Sequence, residues 1–358
     1  MRTTIEAYNQ NLDKPLDDVK RIKWTRSLRK KLEKRNLSDK FDLSKIRDFS
    51  YRPFINQFLY YDKFWNEYQF KTDKLFPDVN SCNTVICISG VGSKEFSCLM
   101  TNKIACQDYL EKTQGMPRWL PERQIVTTGD TLMFEEQNEL PSGFSPEALP
   151  HFQAAYPGKS ITEDDLFYYI YGILHSEDYR TRFANNLVKE MPRIPRVATY
   201  EQFMAFVEAG QELARLHVHF EDVKPYAGVT IEYTKPGQPS FRVKQIKWGK
   251  IKGKSGNAAK DKTTLIYNDW ITVKNIPLEA QEYVVNKKSA LDWVVDFACV
   301  RLDKKGKSGI VNDFNDYASE KGDERYPLDL FLKVITVSLE TMKIVKALPK
   351  LEIHPLDK

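Results

Sequence analysis

Several absences narrow the field before any motif is read. No apolar run approaches the ~18 residues a membrane span needs, although 41% of the 358 residues are hydrophobic. The first residues, MRTTIEAYNQNLDKPLDD, have neither the apolar stretch of a signal peptide nor an Arg/Ser-rich, acid-poor transit pattern. Cysteine is scarce and odd in number: Cys82, Cys87, Cys98, Cys106 and Cys299, with no CxxC pair. That argues against a disulfide scaffold and a zinc cluster, and it points to a reducing cytoplasm. No internal repeat or low-complexity tract is visible.

Catalytic signatures are missing too. Gly90-Val-Gly92-Ser93-Lys94 follows a predicted strand, but it is too short for a phosphate-binding loop and lacks the Gly-Lys-Ser/Thr end. Gly249 to Ser255 has three residues where such a loop needs four, and Lys305–Ser308 has no upstream glycine. No Asn/Asp-Pro-Pro-Tyr/Phe tetrad, early glycine-rich cofactor loop or Glu-x-Lys nuclease core can be assembled. His217 and His219 stand two apart, so on a helix they face different ways and cannot share a metal. His175 reads as a packing or capping residue. No active site emerges, and no metal or cofactor site is expected in this chain.

What is present is clustered positive charge. Net charge is +5, yet residues 20–35 hold nine Lys/Arg against Glu33 alone, and residues 235–262 hold nine against Asp261 alone. Each segment therefore exceeds the charge of the whole chain, and the remainder is acidic. Such clustering suits a phosphate-binding surface, but it also suits ordinary solvated faces.

Patterning gives an α+β chain in four stretches. Residues 1–75 open with Trp24, Leu28 and Leu32 at helical spacing and then turn aromatic, with Pro53 interrupting regular structure. Residues 76–158 begin with a strand at Thr84–Ser89 and continue as a loop-rich, proline-broken β region. Residues 159–225 are helical: one helix starts at Thr162, with Asp165 three residues on. A second starts at Ser176 and ends before Pro192, and a third covers Thr199–His217. Residues 226–358 carry short strands at Thr230–Tyr233, Phe241–Trp248, Thr263–Tyr267 and Trp270–Val273. Gly249–Asn257 reads as a mobile loop, and helices follow at Ala290–Ala298 and Leu328–Leu348.

One stretch, DLFYYIYGILHSEDYRTRFANNLVKEMPRIP (Asp165–Pro195), resembles the C-terminal specificity region of Type ISP restriction-modification enzymes. IKWTRSL (Ile22–Leu28), KIRDFSYRPFINQFLYYD (Lys45–Asp62) and VICISGVGSKEFS (Val85–Ser97) are similar in the same way. So are FVEAGQELARLH (Phe206–His217), TTLIYNDWITVKNIP (Thr263–Pro277), YVVNKKSALDWVVD (Tyr283–Asp296), KSGIVNDFND (Lys307–Asp316) and VITVSLETMKIV (Val334–Val345). The blocks keep the family's order from near residue 20 to near residue 345; Lys103–Gln153 matches poorly. The resemblance implies a target-recognition domain for double-stranded DNA, with residues 1–75 as the end of a methyltransferase region. It places an adenine methyltransferase, a translocase and a nuclease upstream, along with their S-adenosylmethionine, ATP and Mg. The methyltransferase would be a partner in the same enzyme or as a separate chain. The other readings are a protein-docking subunit and an enzyme with a dispersed site.

Under the DNA reading the candidate contacts fall in four places. Phe241–Lys254 alternates cations with apolar residues as one face of a strand would. It contributes Arg242, Lys244, Lys247, Trp248, Lys250, Lys252 and Lys254, though edge-strand lysines also block aggregation. Lys23, Arg26, Arg29 and Lys30 lie on the polar face of the first basic helix and suit either phosphate or the methyltransferase. Lys94 and Arg118 belong to the second stretch, and Arg52 sits in an aromatic, proline-bounded setting that equally suits a structural brace.

Overall fold

The computed structural model describes residues 1–12, 22–120, 125–128, 131–134, 141–252, 258–302 and 309–355. The architecture is α+β, built from helices and several small sheets.

The first stretch closes a small aromatic core. Helix α1 (Arg2–Gln10) buries Ile5 and Tyr8, and α2 (Arg26–Glu33) buries Leu28 and Leu32. Thr25 caps α2 by accepting the Leu28 N–H at 3.2 Å. Trp24, Phe64 and Trp65 complete the cluster, so the four-residue spacing of Trp24, Leu28 and Leu32 is its buried stripe. Strands β1 (Ile46–Arg52) and β2 (Ile55–Tyr60) form a hairpin that turns at Pro53-Phe54. A single turn, α3 (Thr72–Leu75), follows.

Strand β3 (Val85–Ile88) pairs antiparallel with β4 (Cys98–Thr101) and β6 (Gln114–Pro117), while β5 (Ile104–Ala105) runs parallel to β1. Strands β7 (Ile125–Thr128) and β8 (Thr131–Phe134) make a separate hairpin, and α4 (Ala148–Gln153) ends the stretch.

Helix α5 (Glu163–His175) starts at a capping box in which Thr162 and Asp165 bond each other's backbone. The next segment is shorter than the sequence suggests. It runs as α6 (Glu177–Arg182) and α7 (Ala184–Leu187), broken at Phe183, whose ring folds onto Tyr179 at 5.1 Å. Helix α8 (Tyr200–Val218) packs directly on α5. A Cβ at Gly172 would lie 2.3 Å from the Phe206 carbonyl oxygen, and one at Gly210 would lie 1.9 Å from that of Tyr168. Only hydrogen fits at either crossing point.

The last stretch contains one four-stranded antiparallel sheet, ordered β10-β11-β12-β9. Its strands are β9 (Thr230–Tyr233), β10 (Lys247–Lys252), β11 (Ala258–Ile266) and β12 (Ile271–Lys274). Around it lie the ladder β13 (Val284–Val285) with β14 (Lys288–Ser289), α9 (Ala290–Phe297), the ladder β15 (Val300–Leu302) with β16 (Val311–Asp313), and α10 (Phe314–Glu320). Helix α11 (Tyr326–Ala347) spans the core. Among the described residues no helix is long and apolar enough to cross a membrane.

Two large cores result, and β3 is the wall between them. Val85 and Cys87 face the core formed with Phe54, Leu265, Val294 and Phe331. Ile86 and Ile88 face the core of α5 and α8, with Tyr169, Ile173, Phe203 and Leu213. Successive strand residues point to opposite faces, so a strand buried on both sides is apolar throughout, as VICI is. The four sequence stretches are thus interleaved: the first core draws on residues from 54 to 337.

Candidate nucleic-acid interface

The basic segment of the last stretch is not one strand. From Phe241 to Ile246 the chain joins no sheet; side chains bond most of its backbone, and the Lys244 carbonyl accepts the Val300 N–H at 3.0 Å. Asn315 accepts the Val243 N–H at 2.9 Å and donates to the Val243 carbonyl at 2.8 Å. Asn268 donates to the carbonyls of Ser240 and Arg242, and Tyr267 to that of Phe241. Val243 and Ile246 are buried; Lys244 is exposed.

Strand pairing starts at Lys247, and the predicted loop from Gly249 is strand as far as Lys252. The ladder shifts register between Trp248 and Gly249, where β11 bulges by several residues. A side chain at Gly249 would press on Thr264 at 3.0 Å and Asp261 at 3.3 Å, so glycine accommodates the bulge. The bulge aims Lys262 inward, onto Asp292 and over the Trp248 ring at 4.4 Å. Trp248, only 5% exposed, donates its Nε1 hydrogen to the same Asp292 oxygen at 2.8 Å. Burial opposes ionisation of Asp292, but the Lys262 and Trp248 hydrogen bonds outweigh it and hold the carboxyl below its usual range. Trp248, named among the candidate DNA contacts, is therefore packed in the core.

Arg118 is likewise engaged inside the fold. It is 6% exposed, donates to Asp164 at 2.6 Å and Glu163 at 3.2 Å, and lies 3.9 Å over the Trp119 ring. Its guanidinium ties β6 to the first turn of α5. Arg52 takes its structural alternative: it stacks on Tyr51 at 4.1 Å, donates to the Tyr51 carbonyl at 2.7 Å and reaches Asp108 at 3.7 Å. Arg242 remains at the surface but pairs with Asp313 at 2.8 Å.

The other candidates are uncommitted. Lys23, Arg26, Arg29 and Lys30 are exposed around α2, and none has an ion pair among the described residues. Their neighbour Lys31 instead folds over Phe64, 4.5 Å from the ring centroid. Lys244, Lys247 and Lys250 are likewise exposed and unpaired among the described residues. Lys252 ends β10 with its side chain outside the described set, and Lys254 lies wholly outside it. Lys260, exposed on β11, belongs with this group although the sequence reading passed over it. The clue was its place in the basic run; what hid it was a strand expected to begin only at Thr263.

The turn at Gly90–Lys94 has spent the amides a phosphate would need. Gly90 N–H donates to the Glu111 carbonyl, Gly92 N–H to that of Val188 and Ser93 N–H to that of Gly90. The Lys94 N–H goes to the Glu111 carboxylate at 3.0 Å, while the Lys94 side chain is exposed. His175 and His217 are internal, whereas His219 is exposed, 3.5 Å from Asp222. His217 is bonded through Nδ1 to the Tyr171 hydroxyl at 2.6 Å and through Nε2 to Thr341 at 3.0 Å. His175 packs beside it with Nδ1 at 2.9 Å from the Tyr171 carbonyl oxygen. Among the described residues no group of His, Cys, Asp or Glu could hold a metal.

The fold is thus a mixed α+β architecture with exposed cations gathered on α2 and on the β10–β11 hairpin. The chain belongs to the family of Type ISP C-terminal specificity domains, whose model matches residues 1–330. It is similar in structure to the ATP-dependent Type ISP restriction-modification enzyme LlaBIII bound to DNA, with 31% identity and a TM-score of 0.81 over 99% of this chain. A nuclease-deletion mutant of the Type ISP enzyme LlaGI in complex with a DNA substrate mimic is 33% identical, with a TM-score of 0.75 over 99% of this chain. The DrdV–DNA complex is 28% identical, with a TM-score of 0.78 over 98%. The chain spans 22%, 26% and 33% of those three chains, respectively. Among curated proteins none matches.

Proposed function

We propose that this chain selects the DNA target of a Type ISP restriction-modification enzyme, reading base edges in the major groove and holding phosphates for register. The observation that carries this reading is the division among its cations. Arg52, Arg118, Arg242 and Lys262 are engaged by acids or rings, whereas α2 and the β10–β11 hairpin carry exposed cations with no acid partner among the described residues. Unpaired surface charge of one sign, gathered on two elements, suits a polyanion.

Adenine methylation with S-adenosylmethionine, and translocation and cleavage with ATP and Mg, belong in this reading to other parts of the enzyme. The methyltransferase is the partner that residues 1–75 would meet, in the same chain or another. Tyr68 and Phe70 support that contact: they are 70% and 73% exposed and stack on each other at 5.9 Å, an apolar pair left open to solvent. The cysteine usage favours a cytoplasmic setting.

The test is retention of a randomised duplex library by the purified chain at ~150 mM salt, followed by sequencing, because salt sets the balance of specific and non-specific affinity. Enrichment of one short adenine-containing motif is expected. Retention without enrichment would assign this chain to the backbone only; no retention would refute DNA binding by the isolated chain.

A further inference from the structure

Strand β12 pairs with β11 only at Leu265 and Ile266. The far half of the hairpin, Gly249–Lys252 against Ala258–Asp261, therefore has each strand paired only with the other and extends past the sheet as a two-stranded ribbon. A ribbon of this kind fits the ~12 Å major groove of B-DNA.

Within it Lys250 lies directly opposite Lys260. Directly opposed residues share a face with Cβ atoms roughly 5 Å apart, and like charges there are destabilising. Among the described residues no acid offsets them. Neither lysine has an ion pair among the described residues. Asp261 is adjacent, but neighbouring strand residues alternate faces. Its carboxylate moreover accepts the Thr263 N–H at 2.9 Å and the Thr263 hydroxyl at 2.6 Å. Lys262, two residues further on, is turned inward by the bulge and neutralised by Asp292. The bulge therefore separates a lysine used by the core from one left outside. Ile251, next to Lys250, lies on the opposite face and is 54% exposed.

We propose that Lys250 and Lys260 form a two-pronged clip for the DNA phosphodiester backbone, placed at the groove by the ribbon. Lys260 is its second prong and Ile251 its apolar side, against the groove wall. This rests on the DNA-target reading and assigns it a specific backbone contact. The ligand is a phosphate chain rather than an acidic protein surface, because the prongs sit on a narrow projection and not on a broad face.

The experiment is binding of the full chain to the selected duplex across a salt series, for wild type, Lys250→Gln, Lys260→Gln and Lys260→Arg. Each Gln variant is expected to lower the slope of log K against log[salt] by about 0.9, the release accompanying one phosphate contact. Lys260→Arg is expected to restore it. Melting of the free Lys260→Gln chain is expected at an unchanged or higher temperature, since opposed charges are relieved. An unchanged slope for Lys260→Gln beside a lowered one for Lys250→Gln would overturn the clip while leaving DNA recognition standing. A lower melting temperature would mark Lys260 as structural and also overturn it. Lys260→Gln losing retention on a methyltransferase domain but not on DNA would replace the clip with a protein contact. No DNA binding by wild type would remove both readings.

Discussion

At the scale of single residues, the buried ionisable groups set how this chain responds to acid. Glu221 lies between β2, the β4–β5 turn and α11. It accepts Asn56 at 2.7 Å and the Tyr326 hydroxyl at 2.6 Å, with Lys103 at 3.5 Å and Lys321 at 4.0 Å. Burial opposes its charge, but the Tyr326 hydrogen bond and the lysines more than offset it, and the carboxyl is held below its usual range. A depressed carboxylate contributes stability that is present above its unfolded pKa and is lost as pH falls through the folded value. His217 works in a different window: burial pushes it down to about 3 from 6.5. The unfolded chain then binds a proton that the folded chain refuses, so stability declines from pH 6.5 toward 3. Urea unfolding across pH should therefore show a first decline beginning near pH 6.5, lessened in His217→Gln and abolished only when His175, which burial depresses in the same direction, is replaced as well, and a second below about pH 4.3. Glu221→Gln should cost about 2–4 kcal/mol at pH 7 and remove much of the second decline. A stability curve flat between pH 7 and 5 in wild type would contradict the His217 assignment.

At the scale of elements, legibility followed the range of the forces involved. Caps and periodic stripes act within a few residues, so Thr162 with Asp165, Thr199 before α8 and the long apolar stripe of α11 could all be read directly. The strand expected over Phe241–Trp248 forms only from Lys247, because the backbone partners of the part before it, Asn268 and Asn315, lie 26 to 72 residues away. The apolar residues there do go inside, but Val243 and Ile246 stand three apart rather than two, so they report burial and not ladder pairing. The α5–α8 crossing was half legible. Gly210 stood in the buried stripe, whereas its contact with the Tyr168 carbonyl requires the partner helix to be known. That contact makes a sharp prediction. Gly210→Ala gains ~1 kcal/mol of helix propensity, yet it forces apart two backbones that meet at 1.9 Å from the new Cβ. A net loss of about 2–4 kcal/mol is expected by chemical denaturation. A neutral or stabilised variant would mean that the helices are not in backbone contact.

At the scale of the whole molecule, the sequence revealed that charge is segregated but not which cations are spent. Arg118 and Lys260 look alike as letters. One is clamped by Asp164 beside a tryptophan ring, and the other is left exposed on a projecting ribbon. Pairing is a property of the folded chain, which explains why the candidates at α2 and the ribbon have no acid partner among the described residues while those at β6 and in the core are engaged. The remaining ambiguity concerns α2, whose exposed cations suit phosphate or a methyltransferase surface equally well by charge. The two readings differ in counterion release. Replacing Arg26, Arg29 and Lys30 together by Gln leaves Leu28 and Leu32 in place, so the helix keeps its buried stripe and its Thr25 cap. If all three touch DNA, the isolated chain should lose roughly 2.7 units of slope in log K against log[salt], about 0.9 for each phosphate. If they dock on the methyltransferase, the slope is unchanged and the same variant instead fails to stimulate sequence-specific methylation by a methyltransferase supplied with the chain. We expect the first result, because three unpaired cations within two helical turns attract a polyanion without any shape requirement, whereas a protein surface must supply matching acids.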